Sequence, residues 1–163
     1  MSDINKYIFA IGGGGFTHRK DKSLDNFILS IKNKEVLKIG FLPTASKDNY
    51  EKTELFYERF QKTTHTLSHF ELLEKTNGFQ EWVLSNDIIY VGGGDTYFML
   101  EFWKKNNLTN IFNKAYSNGI LLCGVSAGAV CWFENILSNS LNKKFIHLKG
   151  IGIDFPVMEG NLS

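Results

Sequence analysis

The clearest chemical signal in the sequence is one serine set between small residues. The segment Gly124-Val125-Ser126-Ala127-Gly128 matches G-x-S-x-G, with an apolar, β-prone run before it and a helical pattern after it. A sharp turn between a strand and a helix needs small neighbours and holds the serine hydroxyl in the cleft above the sheet. The first N–H groups of the helix can stabilise an oxyanion there. The pattern predicts a nucleophile at Ser126, although small residues also permit a strand and a helix simply to pack closely.

A second glycine-rich loop, Gly92-Gly93-Gly94-Asp95-Thr96, also follows an apolar run. Glycines let the backbone approach a substrate closely and turn its N–H groups inward. In an acyl-transfer enzyme this loop could supply a second oxyanion donor; it could instead cradle a phosphate, or form a plain turn with Asp95 or Thr96 as helix cap. The run Gly12-Gly13-Gly14-Gly15 either lines the same cleft or permits a tight turn. No dinucleotide fingerprint follows the first strand, and the sequence contains no P-loop motif.

A serine nucleophile needs a general base, which is usually histidine. Of the four histidines, His18 lies in the first loop, and His65 and His69 belong to a strand that we expect at the periphery. His147 alone follows the serine in the chain order usual for this kind of fold, in a strand or hairpin. The residues alone leave the base open. Cys123 and Cys131 fall inside the strand and the helix, so we expect both to pack in the core.

Apolar runs that alternate with helical patterns must position these residues. We predict strands over residues 7–11, 36–42, 65–73, 87–91 and 120–125, and helices over 24–31, 50–62, 96–106, 108–118 and 127–135, with a short helix or turn over 79–84. Such alternation predicts a parallel sheet with helices on both faces. The glycine loops and Ser126 would then meet at the carboxyl edge of the sheet, where such folds bind ligands.

Composition narrows the classes of function. The chain has 163 residues, 43% of them hydrophobic and 21% charged, which fits one soluble globular domain. A formal net charge of +1 and only two arginines, Arg19 and Arg59, give no reason to expect nucleic acid or an anionic membrane as partner. The sequence shows no secretion signal and no apolar run of about 20 residues, so we expect a cytoplasmic protein. The two cysteines form no metal-binding pattern.

Four motifs in order resemble the dipeptidase E family of serine peptidases, which includes aspartyl dipeptidases and, more distantly, cyanophycinase. They are Ile11-Gly-Gly-Gly-Gly-Phe16, Phe41-Leu-Pro-Thr-Ala-Ser46, Ile89-Tyr-Val-Gly-Gly-Gly-Asp-Thr96 and Gly124-Val-Ser-Ala-Gly-Ala129 with Cys131-Trp-Phe-Glu134. The resemblance implies a three-layer α/β sandwich with a mostly parallel sheet, similar to class I glutamine amidotransferases. It implies a serine-type peptidase that cleaves small peptides, aspartyl dipeptides above all, through an acyl-enzyme on Ser126. The oxyanion and substrate-binding residues would be Gly93, Gly94, Asp95 and Ala127.

The sequence departs from the family pattern in two places. Val157 stands where the family's catalytic histidine is expected, and Asn139 stands where many relatives carry an aspartate. The chain is therefore a truncated relative, a degenerate relative that binds without cleaving, or one in which His147 or another group substitutes. We expect residues 1–163 to form a single peptidase-like domain that lacks the C-terminal part of the family domain. We further expect a small peptide as partner, no cofactor or metal, no nucleic acid or membrane, and a monomer or homodimer.

Overall fold

A computed structural model describes residues 4–18, 22–141 and 144–153. Its centre is a five-stranded parallel sheet made of β1 (Ile8–Ile11), β2 (Lys38–Leu42), β3 (Thr66–His69), β4 (Ile88–Val91) and β5 (Leu121–Val125). The strands lie in the order β1-β5-β4-β2-β3. β4 and β5 are buried along their whole length, as expected for a parallel sheet covered on both faces.

Helices cover both faces of this sheet, which confirms the predicted three-layer arrangement. Along β4, Ile88 and Tyr90 point into one apolar core and Ile89 and Val91 into the other. The first core is closed by α1 (Ser23–Ile31) and α2 (Tyr50–Phe60). The second core is closed by α3 (Phe79–Leu84), α4 (Thr96–Lys105) and α5 (Thr109–Ser117). Among the described residues, none of the helices has the length and apolarity needed to cross a bilayer.

The predicted helix over 127–135 is wrong in its second half. The helix α6 (Ala127–Val130) ends after four residues, and the chain turns into β6 (Asn135–Ser138). The carbonyls of Cys131, Trp132 and Glu134 accept N–H groups from residues 151, 153 and 150, so the returning chain uses acceptors that a continued helix would need. Burial along β6 alternates, which is the period of a strand and not of a helix.

The strand that follows completes a small hairpin. β7 (Ile146–Lys149) pairs antiparallel with β6, so His147 lies in a hairpin as predicted, opposite Leu137. The edge strand β3 is shorter than the predicted 65–73 and only partly buried. Gly119 closes α5, with a φ of 77° and its N–H bonded to the Tyr116 carbonyl.

Candidate active site

Ser126 occupies a strained turn between β5 and α6. Its φ of 55° and ψ of −112° lie in a region that side chains rarely adopt, and the residue is exposed. The turn is fixed by hydrogen bonds from the Ser126 N–H to the Ile11 carbonyl at 3.0 Å and from the Ala129 N–H to the Ser126 carbonyl at 2.9 Å. The structure therefore gives Ser126 the strand, turn and helix context of a nucleophile elbow.

The glycines on either side of the elbow are required by close backbone packing. A Cβ at Gly124 would lie 2.4 Å from the Gly128 carbonyl oxygen, and a Cβ at Gly128 would lie 2.1 Å from that of Val91. Close packing of the strand against the helix is therefore enough to explain why both of these residues are glycine. It does not explain why the serine between them is exposed in a strained conformation, since packing places no demand on an exposed residue. The strain supports a functional interpretation of Ser126.

The loop after β4 lies directly against this serine. A Cβ at Gly93 would be 3.2 Å from the Cβ of Ser126, and Gly94 has a φ of 151° with no room for a side chain beside the Ala45 carbonyl. The loop is held at its ends, where the Gly92 N–H donates to the Leu42 carbonyl and the Asp95 N–H to the Ala45 carbonyl. Within the described part of the chain, the N–H groups of Gly93 and Gly94 have no acceptor. They remain available to a ligand beside Ser126.

Asp95 has a structural task in this loop. Its Oδ1 accepts the Phe98 N–H at 2.9 Å and caps α4. The side chain is not among the residues that line the neighbouring cleft. These contacts favour the helix-cap interpretation of Asp95 over a direct contact with substrate. Ala127 is buried, and its N–H is the first of α6, where no helical carbonyl precedes it.

The loops after β1, β2, β4 and β5 enclose one cleft of about 580 Å³. The predicted convergence of the glycine loops on Ser126 is therefore confirmed. Lys52, in the first turn of α2, is the charged side chain among the described residues that line it. The lining residues are Gly12, Gly13, Thr17, Phe41, Ser46, Lys52, Gly92, Gly93, Gly94, Val125 and Ser126.

His65, His69 and His147 lie away from this cleft. His65 Nδ1 accepts the Leu37 N–H, and His69 Nδ1 is 2.9 Å from the Tyr57 hydroxyl, so both have structural partners at the β3 edge as expected. His147 is exposed on β7 and does not line the cleft. The backbone of His18 ends the 3-10 turn Gly15–His18, one residue beyond Thr17, which lines the cleft.

The segment after β6 carries Asn139, the position where the resemblance to dipeptidase E implies an aspartate. Asn139 is exposed, and the serines on either side of it bond to each other through their hydroxyls at 2.9 Å. Ser140 Oγ also accepts the Tyr97 N–H at 3.0 Å, which ties this segment to the start of α4 beside the glycine loop. Val157 lies outside the described residues.

Sequence reasoning missed Lys52 as a cleft residue. Its position was still readable, because it lies in the first turn of a helix that follows the carboxyl end of a strand. The two cysteines behave as predicted: both are buried, and burial raises the pKa of the Cys123 and Cys131 thiols well above the ordinary value. A nucleophilic thiolate is disfavoured at either position.

Comparisons with known proteins agree with this architecture. The family model described as peptidase family S51 matches residues 8–153. An uncharacterised peptidase of Bacillus subtilis (strain 168), YgaJ, is 40% identical over 149 residues, which cover 90% of this chain and 64% of the relative. An uncharacterised peptidase of Listeria innocua, Lin0382, is 32% identical over 101 residues, or 62% of this chain and 44% of that protein. The chain thus spans less than two thirds of the length of either relative.

Solved structures share the fold. A candidate peptidase E protein from Listeria monocytogenes EGD-e superposes with a TM-score of 0.64 at 20% identity, covering 79% of this chain and 69% of that one. A peptidase from an acI-B1 actinobacterium gives 0.68 at 18% identity, covering 90% and 64%. The expected α/β fold of the class I glutamine amidotransferase type is confirmed. The resemblance to dipeptidase E is borne out by the sequence as well as the fold, and the chain belongs to peptidase family S51.

Proposed function

We propose that the chain is a serine-type hydrolase of small peptides, with Ser126 as nucleophile. The observation that carries the proposal is the strained, exposed Ser126 beside the open N–H groups of Gly93 and Gly94. The serine Oγ attacks the scissile carbonyl carbon and gives its proton to a base. The oxyanion that forms accepts hydrogen bonds from the N–H groups of Ala127 and the Gly93–Gly94 loop. The peptide amine then leaves with a proton, and water hydrolyses the acyl-enzyme.

The proposed substrates are dipeptides with an N-terminal aspartate. This preference comes from the resemblance to aspartyl dipeptidases, and an open cleft of about 580 Å³ is large enough for a dipeptide. The chain spans only 64% of the length of the Bacillus relative, so the activity of the whole protein is also stated as a proposal.

A second candidate is a protein that binds small peptides in the same cleft without cleaving them. The observation that favours it is the lining itself, which contains neither a histidine nor a carboxylate among the described residues. Without its base, a serine nucleophile loses about 10⁴-fold or more in rate. The oxyanion loop and the cleft would still bind a peptide.

Covalent labelling separates the two candidates. A fluorophosphonate reacts quickly only with an activated serine, so the hydrolase should be labelled at Ser126 at the ordinary rate of serine hydrolases. The Ser126→Ala variant and heat-unfolded protein are the controls and should remain unlabelled. Release of nitroaniline from Asp-para-nitroanilide by the native chain, absent in Ser126→Ala, supports the aspartyl preference. Equal, slow labelling of native and unfolded protein contradicts the hydrolase and favours the binding protein.

A further inference from the structure

We propose that Lys52 is the specificity-determining residue of this cleft and binds a carboxylate of the substrate, while Gly12 and Gly13 keep the opposite side open for the rest of it. The inference rests on the proposed function, because it concerns the cleft that contains Ser126. It adds the residues that recognise the substrate to those that would react with it.

The position of Lys52 is not explained by the stability of its helix. Asn49 caps α2 through a hydrogen bond from the Lys52 N–H, so the lysine side chain lies at the third helical position. Helix dipoles favour negative charge there and disfavour a cation. Within the described part of the chain, Lys52 makes no ion pair that would compensate for this placement. Its exposed ammonium is left to interact with whatever enters the cleft.

The electrostatics of the cleft point to an anionic partner. Apart from Lys52, the described lining consists of glycines, hydroxyl side chains and two apolar residues. A single cation in a site without a carboxylate to neutralise it attracts negative charge. A small peptide carries negative charge as carboxylate, and an ammonium that donates hydrogen bonds to a carboxylate forms a charge-assisted contact.

Gly12 and Gly13 are glycines for which the fold gives no reason. Neither has a left-handed φ, and a Cβ at either position would meet no atom within 4 Å. By contrast, Gly14 and Gly15 in the same run have φ values of 104° and 62° and need to be glycine. Both glycines line the cleft, and the space beside them is open. Absence of side chains there keeps room for a ligand.

The sheet order places these two features on either side of Ser126. In the strand order β1-β5-β4-β2, the loops with Ser126 and Gly93 follow the two strands in the middle, β5 and β4. Gly12 and Gly13 follow β1 on one side of these loops, and Lys52 comes after β2 on the other side. A substrate whose carboxylate contacts Lys52 therefore extends across Ser126 toward the two glycines. The scissile bond lies between its charged end and its remaining part.

Binding measured in a Ser126→Ala background tests the inference without requiring turnover. The probes are Asp-Leu, Asn-Leu and the C-terminal amide of Asp-Leu, measured by titration calorimetry. We expect Lys52→Gln to weaken Asp-Leu binding about tenfold, the usual size of a lost hydrogen bond to a charged group. A lysine that binds the aspartate side chain predicts that Lys52→Gln leaves the binding of Asn-Leu unchanged. A lysine that binds the C-terminal carboxylate predicts instead that the substitution leaves the binding of the Asp-Leu amide unchanged.

Two further variants complete the test. Lys105→Gln, at the far end of α4, removes an exposed lysine outside the cleft and should bind Asp-Leu like its parent. Gly13→Val fills open space and should abolish binding while the melting temperature stays within a few degrees. If Lys52→Gln binds all three probes with the same affinities as its parent, or if the parent binds none of them, the inference is overturned. Labelling of Ser126 without Lys52-dependent binding contradicts this inference alone, and binding without labelling contradicts the hydrolase alone.

Discussion

At the scale of single residues, the site depends on conformations that cost stability. Two hydrogen bonds hold Ser126 at a positive φ: its N–H donates to a carbonyl of β1, and its carbonyl accepts an N–H of α6. A non-glycine residue in such a region costs about 1–3 kcal/mol, and the surrounding fold must supply it. Gly124 and Gly128 make that possible by allowing three backbone segments to approach closely. The exposed position of Ser126 in the cleft is thus obtained at the expense of local strain.

This strain can be measured by comparing two substitutions at the same position. Ser126→Gly and Ser126→Ala both remove the hydroxyl and differ by one methyl group. We expect the glycine variant to be the more stable by about 1 kcal/mol, because relief of strain exceeds the added entropy of the unfolded chain. Urea unfolding of both variants gives the difference. A more stable alanine variant would show that the turn is not strained.

At the scale of elements, what the sequence predicts depends on how local the determining contacts are. The β4 and β5 runs are apolar because both faces of these strands are buried, whereas β1, at the end of the sheet, is only partly buried. The positions of all three strands were predicted within one or two residues. The end of α6 could not be predicted, because it is set by carbonyl bonds to residues 150–153, which are distant in sequence. The glycine loops and Ser126 were predicted to meet because parallel strands share a carboxyl edge. Which histidine, if any, reaches Ser126 depends on side-chain placement that spacing does not encode.

The connection between β2 and α2 brings Ser46 and Lys52 to the cleft and is anchored by Asp48. This residue has a φ of 55°, and its Oδ2 accepts the Leu73 N–H at 2.7 Å. Burial raises the pKa of the Asp48 carboxyl, with Glu71 and Glu74 adding to the effect and the Leu73 N–H opposing it. Compared with the unfolded chain, the native state binds the Asp48 proton more tightly, so stability falls as pH rises from the ordinary carboxyl pKa through the raised native pKa.

Asp48→Asn should consequently raise the melting temperature at pH 7. The amide keeps an acceptor for the Leu73 N–H, tolerates the left-handed backbone and removes the half-buried charge. The gain should shrink at pH 4, where the native aspartate is closer to its protonated form. Melting curves of the two proteins at both pH values test this expectation. A gain of equal size at pH 4 would assign the effect to backbone preference and not to charge.

At the scale of the whole molecule, the two edges of the sheet have different tasks. The carboxyl edge carries the strained serine, the open glycine loops and Lys52. At the amino edge, Asp87 connects neighbouring strands through two hydrogen bonds. Its Oδ2 accepts the Lys38 N–H at 2.8 Å, and its carbonyl accepts the Leu121 N–H at 3.0 Å. One residue thus links β2, β4 and β5 at the end away from the cleft. Substitutions at this edge should change stability without changing the chemistry of Ser126.

Asp87→Asn tests this separation. Burial alone would raise the pKa of the Asp87 carboxyl, but hydrogen bonds from Lys34 and the Lys38 N–H outweigh it and lower the pKa. The ionised carboxylate therefore stabilises the fold at neutral pH, and this contribution is lost as pH falls below about 4 through the lowered native value. We expect Asp87→Asn to cost about 1 kcal/mol at pH 7, less at pH 3.5, in urea unfolding. Fluorophosphonate labelling of Ser126, measured well below the melting temperature, should match the parent protein. A changed labelling rate with unchanged stability would mean that the amino edge influences the cleft directly, contrary to the division of tasks between the two edges.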